Sequence, residues 1–248
     1  MLLKNLLKTV DKKYQKIPIS GICFDSRKVK KNEIFFSIKG KKIIGQEFIN
    51  EAISLGAAAI VSDEKLILKD CSIPIIIVKN ARTSLSEACS KFYKKKPKTI
   101  IAVTGTNGKS SVVNFFYQIL GACKVSAASI GTLGICSKNY NIKTPLTTMD
   151  PLFLHKNLEI LVKNKVNHVI LEASSHGLDQ KRIDYLKLKL GIFTNISHDH
   201  LDYHKDMKSY FNSKMYLFEK LLKEKSTVIT DEENEKFGIL NNILKKRK

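Results

Sequence analysis

The strand-like run Ile100-Ile101-Ala102-Val103 leads into Thr104-Gly105-Thr106-Asn107-Gly108-Lys109-Ser110-Ser111, an order of residue types that points to phosphate chemistry. Gly105 and Gly108 let backbone N–H groups converge on an anion with no Cβ in the way. A helix opening at Lys109 would aim the positive end of its dipole at the same point. Lys109 has the reach for β- and γ-phosphates, and Ser110 offers a hydroxyl to Mg²⁺. The widespread G-x-x-x-x-G-K-[ST] pattern needs glycine where Val103 stands, so this loop is a shorter variant, T-G-T-N-G-K-S. Nucleotide binding is expected through Gly105, Thr106, Asn107, Gly108, Lys109, Ser110 and Ser111.

A second set of polar residues follows two later apolar runs. Leu171-Glu172-Ala173-Ser174-Ser175-His176 ends one, and Asn195-Ile196-Ser197-His198-Asp199-His200-Leu201-Asp202-Tyr203-His204 ends the next. A carboxylate at a strand end beside an ATP site suits Mg²⁺, because hard cations take oxygen donors, and Glu172 fits that role. The bland alternative is an acid that caps a helix or pairs with a cation. His198, His200 and His204 raise the possibility of a zinc or two-metal hydrolase. The H-x-H-x-D-H pattern of one such class fails by one residue, since Tyr203 stands where it needs histidine.

These residues need strands and helices to hold them. Tyr93-Lys94-Lys95-Lys96-Pro97-Lys98 is the best internal boundary, because its charges resist burial and Pro97 disfavours helix before it. Residues 1–96 are expected to form a small α/β domain, with strands near 33–38, 58–61 and 74–78 and helices near 47–55 and 85–92. Residues 97–248 alternate more regularly. Strands are expected at 99–103, 168–172, 188–195 and 227–230, and helices at 109–120, 151–163, 207–222 and 233–244. Such alternation implies βαβ units in a mostly parallel sheet, with ligands at the carboxyl ends of its strands.

The 248 residues and 43% hydrophobic content suit a globular protein with a substantial core. No apolar run reaches the roughly 18 residues of a membrane span, and the basic, amphipathic MLLKNLLKTVDKKYQK lacks the marks of a signal peptide, so a cytoplasmic protein without membrane attachment is expected. Cys23, Cys71, Cys89, Cys123 and Cys136 are scattered, which favours reduced, buried thiols over a disulfide framework or zinc cage. The net charge of +20 is spread along the chain with no nucleic-acid module, and no nucleic-acid partner is expected. A basic surface also steers phosphorylated ligands.

Together these segments resemble the UDP-N-acetylmuramyl-tripeptide synthetase (MurE) family, from about Ile22 onward. The resemblance rests on Asp25-Ser26-Arg27, the phosphate loop, Thr147-Thr148, Glu172 to Leu178, Gln180 and Arg182. It continues through Phe193-Thr194-Asn195, Asp199 to His204, and Tyr210-Phe211-Asn212-Ser213-Lys214. Leu146 departs from the asparagine that usually precedes the two threonines, and Lys205 from the glycine that usually follows the last histidine. Ser110-Ser111 replaces a threonine pair.

The resemblance implies a ligase that uses ATP and Mg²⁺ to join a third amino acid, diaminopimelate or lysine, to UDP-MurNAc-L-Ala-D-Glu through an acyl phosphate in peptidoglycan synthesis. It implies catalytic roles for Lys109, Glu172, His200 and Lys214, and metal contacts from Ser110, Glu172, His200 and a carbamylated Lys214. It implies substrate contacts from Ser26, Thr147, Thr148, Ser174, Gln180 and Arg182. The fold implied is an N-terminal UDP-binding domain and a P-loop-type ATPase domain cut short. Members of that family are about twice this length, with three domains of ordinary size. Two expectations follow: an unpaired sheet edge that weakens the fold, and little or no ligase activity without a complementing C-terminal half. A nucleotide- or UDP-sugar-binding remnant without catalysis stays open, with the hydrolase further back.

Overall fold

The computed structural model describes residues 1–39, 48–65, 73–234 and 236–246. Cys71 and Glu47 lie outside them. The chain divides into two compact units, Met1–Lys94 and Lys95–Lys248.

The first unit carries α1 (Leu3–Leu6), β1 (Gly21–Cys23), β2 (Glu33–Phe36), α2 (Ile49–Ser54), β3 (Ala59–Ser62), β4 (Ile75–Ile77) and α3 (Ala81–Phe92). Its four strands form a parallel sheet in sequential order. Ile49 and Ala52 of α2 pack with Phe35 and Ile60 of the sheet. Helix α3 starts four residues before its apolar pattern does. The Asn80 side chain accepts from the Thr83 N–H and supplies the missing cap.

The second unit opens with β5 (Thr99–Thr104), α4 (Lys109–Ala122), β6 (Ala127–Gly131) and β7 (Gly134–Ser137). It continues with α5 (Pro151–Lys163), β8 (His168–Glu172), α6 (Ser175–Asp179) and β9 (Leu190–Phe193), then α7 (Leu201–His204), α8 (Met207–Tyr216), β10 (Thr227–Thr230) and α9 (Phe237–Lys245). The six-stranded sheet runs β10-β9-β5-β8-β6-β7, parallel except for β7 against β6. Strand β5 alternates its faces: Ile100 and Ala102 join the larger core, while Ile101 and Val103 meet Val113 of α4. The chain builds outward from β5 first on one side and then on the other. The strand order therefore reverses at β5, and the crevice above its carboxyl end is the natural ligand position.

Some expectations need correction. The hairpin of β6 and β7 matches none of the expected strands, because Ala127-Ala128-Ser129 is poor in the β-branched and aromatic residues that mark strands. The helix expected over 207–222 is α-helical only to Tyr216 and then opens into a π-helical turn, Leu217–Leu221. The thiols are not uniformly buried: Cys23 and Cys89 are, Cys123 is exposed and Cys136 is half-buried. Strand β10 lies at the sheet edge with Ile229 half exposed. Among the described residues no helix is long and apolar enough to cross a membrane.

One buried side chain has a measurable signature. His155 of α5 is fully buried, and neither ring nitrogen has a hydrogen-bond partner among the described residues. Burial, with the Lys96 charge adding to it, pushes its pKa from 6.5 down to about 3. Below 6.5 the unfolded chain takes a proton that the folded one refuses. Stability is therefore full above 6.5 and is lost as pH falls toward 3. His155→Leu is expected to flatten that acid slope, ~1.4 kcal/mol per pH unit at its steepest, and to add about 1 kcal/mol at neutral pH. Urea melts across the acid range test this; a slope unchanged by the substitution would contradict it.

Candidate functional site

The turn after β5 is shaped by two glycines. Gly105 has φ 151° and Gly108 has φ 82°, the latter as the left-handed N-cap of α4. A Cβ at residue 105 would strike the Thr194 hydroxyl and come within 3.0 Å of the Asn195 nitrogen. The loop lies against the segment leaving β9. The Asn107 N–H donates to Asn195 Oδ1 at 2.9 Å, the Thr106 N–H to the Asn195 carbonyl at 3.0 Å, and Thr194 Oγ1 to the Asn107 carbonyl at 2.6 Å. Thr106 Oγ1 accepts from the Ser197 N–H and meets Tyr210 Oη, both at 3.0 Å.

Two ammonium groups converge on this loop. Lys109 Nζ donates to the carbonyls of Gly105 and Thr106 at 3.0 and 2.8 Å, and Lys214 Nζ from α8 donates to the same Gly105 carbonyl at 2.7 Å. Lys214 is 1% exposed and lies 4.3 Å from the Tyr210 ring centroid. Burial, then the charge of Lys109, pushes its pKa down to about 7 against the opposing pull of Asp199. Lys109 is lowered too, by burial, with Glu172 and Asp199 opposing. A lysine near 7 spends much of its time as a neutral, nucleophilic amine.

Glu172, the last residue of β8, is buried and forms the junction of the site. Its carboxylate accepts from Ser110 Oγ at 2.9 and 3.0 Å, from the Thr132 N–H at 2.8 Å and from Thr132 Oγ1 at 3.3 Å. Thr132 Oγ1 also meets Thr147 Oγ1 at 3.1 Å. The Glu172 backbone carbonyl accepts from Thr148 Oγ1 at 2.8 Å, which in turn accepts from the Ser174 N–H at 2.9 Å. Ser174 caps α6 by accepting from the Gly177 N–H. The carboxylate of Glu172 and the hydroxyl of Ser110 are hard oxygen donors side by side, and they fit Mg²⁺.

Beyond α6 the chain carries Gln180 and Arg182. Arg182 donates from Nε and Nη2 to Gln180 Oε1 at 3.2 and 2.7 Å, and from Nη1 to the Thr148 carbonyl. Gln180 Nε2 donates to Tyr203 Oη at 3.2 Å, and Tyr203 Oη donates to Asp179 at 2.7 Å. His200 has φ 52°, with its Nε2 3.3 Å from Asp199 Oδ2 and its ring 4.8 Å from that of His176. Burial, then the His200 and His204 charges, lowers the His176 pKa. Lys205, where the resemblance expects glycine, has φ 66°, so the backbone there keeps a glycine-like conformation. Among the described residues no group of three or more His, Cys, Asp and Glu is arranged to hold a metal ion.

The second unit thus links Thr147, Thr148 and Ser174 to Glu172 and Ser110, joins Arg182 and Gln180 to that network through Thr148, and sets Lys214 and Lys109 on one carbonyl. Ser111 is exposed on the first turn of α4. Ser26 belongs to the first unit, where it is buried and donates to Glu51 of α2. Sequence reasoning gave no role to Gly131 or Thr132, nor to Asn195, Ser197 and Tyr210. Only the position of the last three after an apolar run, or within a quoted segment, could have pointed to them.

Comparison with known proteins bears on this arrangement. Residues 18–93 match the model of the Mur ligase family catalytic domain, and residues 103–248 that of the Mur ligase middle domain. A UDP-N-acetylmuramoyl-L-alanyl-D-glutamate–2,6-diaminopimelate ligase from Bradyrhizobium diazoefficiens is 41% identical over 206 residues, which is 83% of this chain and 42% of that protein. A solved structure of a ligase of the same name superposes with TM-score 0.86 at 26% identity, covering 100% of this chain and 50% of the other. The MurF ligase of Thermotoga maritima, solved in complex with ADP, shares the fold with TM-score 0.56 at 22% identity, covering 91% of this chain and 48% of that one. The chain spans about two fifths of the length of the curated relatives it matches.

Proposed function

The chain belongs to the Mur ligase family, and from that premise we propose that it is the UDP- and ATP-binding part of a ligase that adds diaminopimelate or lysine to UDP-MurNAc-L-Ala-D-Glu. The observation that carries this reading is the Glu172 junction. One carboxylate joins the phosphate loop at Ser110 to the Thr132–Thr147 pair, while the Glu172 backbone carbonyl accepts from Thr148, which itself accepts from Ser174 at its hydroxyl and from Arg182 at its carbonyl. An ATP γ-phosphate on the loop and a substrate carboxylate on the threonine and arginine side would then meet across Glu172.

The chemistry follows from that meeting. The dipeptide's terminal carboxylate attacks the γ-phosphorus, forming an acyl phosphate and ADP. An incoming amine attacks the acyl carbon and expels phosphate. Both reactants of the first step are anions, so the site's first task is charge neutralisation. The N–H groups of the first turn of α4 and the helix dipole bind phosphate oxygens, and Lys109 swings from the Gly105 and Thr106 carbonyls onto them. Ser110 and Glu172, with His200 and Lys214 by family resemblance, would hold Mg²⁺, whose chemistry is to offset charge on the phosphates and the attacking carboxylate. Arg182 and Thr148 orient the dipeptide, so that positioning and electrostatics supply most of the rate. Lys214, whose pKa burial pushes down to about 7, has a substantial neutral fraction near pH 7 and is competent to add CO₂ as a carbamate.

The test combines binding and turnover on the 248-residue chain. Calorimetry is expected to show ADP–Mg²⁺ and UDP-MurNAc-L-Ala-D-Glu binding. Amide formation with diaminopimelate or lysine is expected only once a polypeptide covering the relatives' remaining length is added. Binding without amide under both conditions would leave a non-catalytic nucleotide- and UDP-sugar-binding module. No binding of either ligand by folded protein would overturn the reading.

A further inference from the structure

Between α6 and β9 lies a short arm whose backbone is under strain. Lys181 and Tyr185 have φ 59° and 62°, left-handed conformations that neither side chain favours. Such a conformation persists only where surrounding contacts over-determine it. The three residues between them point three ways. Arg182 reaches Thr148 and Gln180, Ile183 is fully buried in the core, and Asp184 reaches α8.

The α8 contact is unusual. Asp184 is 4% exposed, yet among the described residues its carboxylate takes a single hydrogen bond, from Tyr216 Oη to Oδ2 at 2.8 Å, and Oδ1 has no partner. Burial pushes its pKa up to about 6, despite the Tyr216 bond and the Lys181 charge. The Lys181 ammonium stands 3.4 Å from the centroid of the same tyrosine ring. Tyr216 is thus gripped twice by the arm: at its hydroxyl by Asp184 and on its face by Lys181. It is also the last residue of α8 before the π-helical turn, two positions after Lys214. A buried, half-satisfied carboxylate is a poor choice for stability alone, since a neutral acceptor there would avoid burying the charge.

We propose that the Asp184–Tyr216 bond is a positioning device, which ties the Gln180–Arg182 arm to the helix carrying Lys214 and so fixes the arm for the dipeptide portion of the substrate. This rests on the proposed function, because it takes Gln180 and Arg182 to be substrate contacts. Helix α8 meets the phosphate loop through Tyr210 and Lys214, while Tyr216 bonds to Asp184, so loss of that bond should loosen dipeptide recognition and spare the nucleotide.

The test is calorimetry on the full chain with UDP-MurNAc-L-Ala-D-Glu and, separately, ADP–Mg²⁺, with a thermal melt of each variant. Asp184→Ala and Tyr216→Phe are expected to weaken the dipeptide ligand about tenfold, the scale of one lost charge-assisted hydrogen bond, and to leave ADP–Mg²⁺ within about twofold. Asp184→Asn keeps an oxygen that accepts from Tyr216 and is expected to restore the dipeptide affinity. If Asp184→Ala does not fold, Tyr216→Phe, which removes one hydroxyl, decides alone. Equal loss of both affinities would mean a purely structural contact and overturn the proposal, as would unchanged dipeptide affinity in Tyr216→Phe. Folded parent chain that does not bind the dipeptide ligand would overturn the proposed function itself, an outcome separable from failure of the arm.

Discussion

Lys109→Met is expected to lower affinity for ADP–Mg²⁺ by about 100-fold or more, without unfolding the second unit. The lysine is held near the loop by the Gly105 and Thr106 carbonyls, 3.0 and 2.8 Å away. Burial lowers its pKa, but the Glu172 and Asp199 carboxylates pull the other way, and an arriving phosphate adds further negative charge that favours the ammonium. Charge-assisted hydrogen bonds contribute about 1.5–3 kcal/mol each. Losing those to phosphate oxygens amounts to roughly 3 kcal/mol, or about 100-fold in affinity. Methionine keeps an apolar stem of similar length, so packing survives, and Lys214 still donates to the Gly105 carbonyl. Calorimetric titration with a melting control measures the loss. A methionine variant that binds within threefold of the parent would place the nucleotide somewhere other than this loop.

Gly131→Ala is expected to damage the site from a position that no binding motif marks. Gly131 ends β6, and a Cβ there would overlap the Glu172 side chain at Oε1, Cδ and Cγ. Glu172 has little room to yield. It is 2% exposed and held by Ser110 and by both the N–H and the hydroxyl of Thr132. Overpacking costs about 1–3 kcal/mol, and each hydrogen bond stripped from a buried carboxylate adds about 1.5–3 kcal/mol. A destabilisation of roughly 3 kcal/mol is expected by urea unfolding, together with loss of the Mg²⁺ dependence of nucleotide binding. Parental stability and parental Mg²⁺ dependence in this variant would mean that Glu172 is free to move, and its role as a fixed junction would be lost.

The two substitutions also mark where sequence was legible and where it was not. Lys109 stands out because strand, glycine turn and helix start are contiguous in the chain, and each local preference agrees with the fold. The same agreement made β8, β10 and α5 readable to the residue. Gly131 and Thr132 stayed hidden because β6 is built from small residues and becomes a strand only when β8 and β7 pair with it. The π-helical turn after Tyr216 is hidden for a related reason. Leu217, Phe218 and Leu221 fit an α-helical pattern, and the departure shows only where Phe218 and Leu222 close over Gly191 of β9. Thr148, Gln180 and Arg182 are reached through family resemblance alone, since the bonds that join them to one another and, through Thr148, to Glu172 depend on loops whose course sequence does not reveal. In the first unit Ser26 was picked out in the same way, while its partner Glu51 was not.

The register of β5 carries a consequence for how this protein is made. Thr104 pairs with Phe193, and Thr106 and Asn107 reach Asn195 and Ser197. The phosphate loop is therefore contiguous in the gene and non-local in space. On the ribosome its glycines emerge long before the segment that shapes them, a wait of several seconds at roughly 5–20 residues per second. Through that interval the nascent chain holds the whole T-G-T-N-G-K-S sequence without its β9 border. Nucleotide can assist only the last steps of folding, after β9 has docked. A nascent chain stalled at the end of α5 would display the complete loop sequence with no formed site.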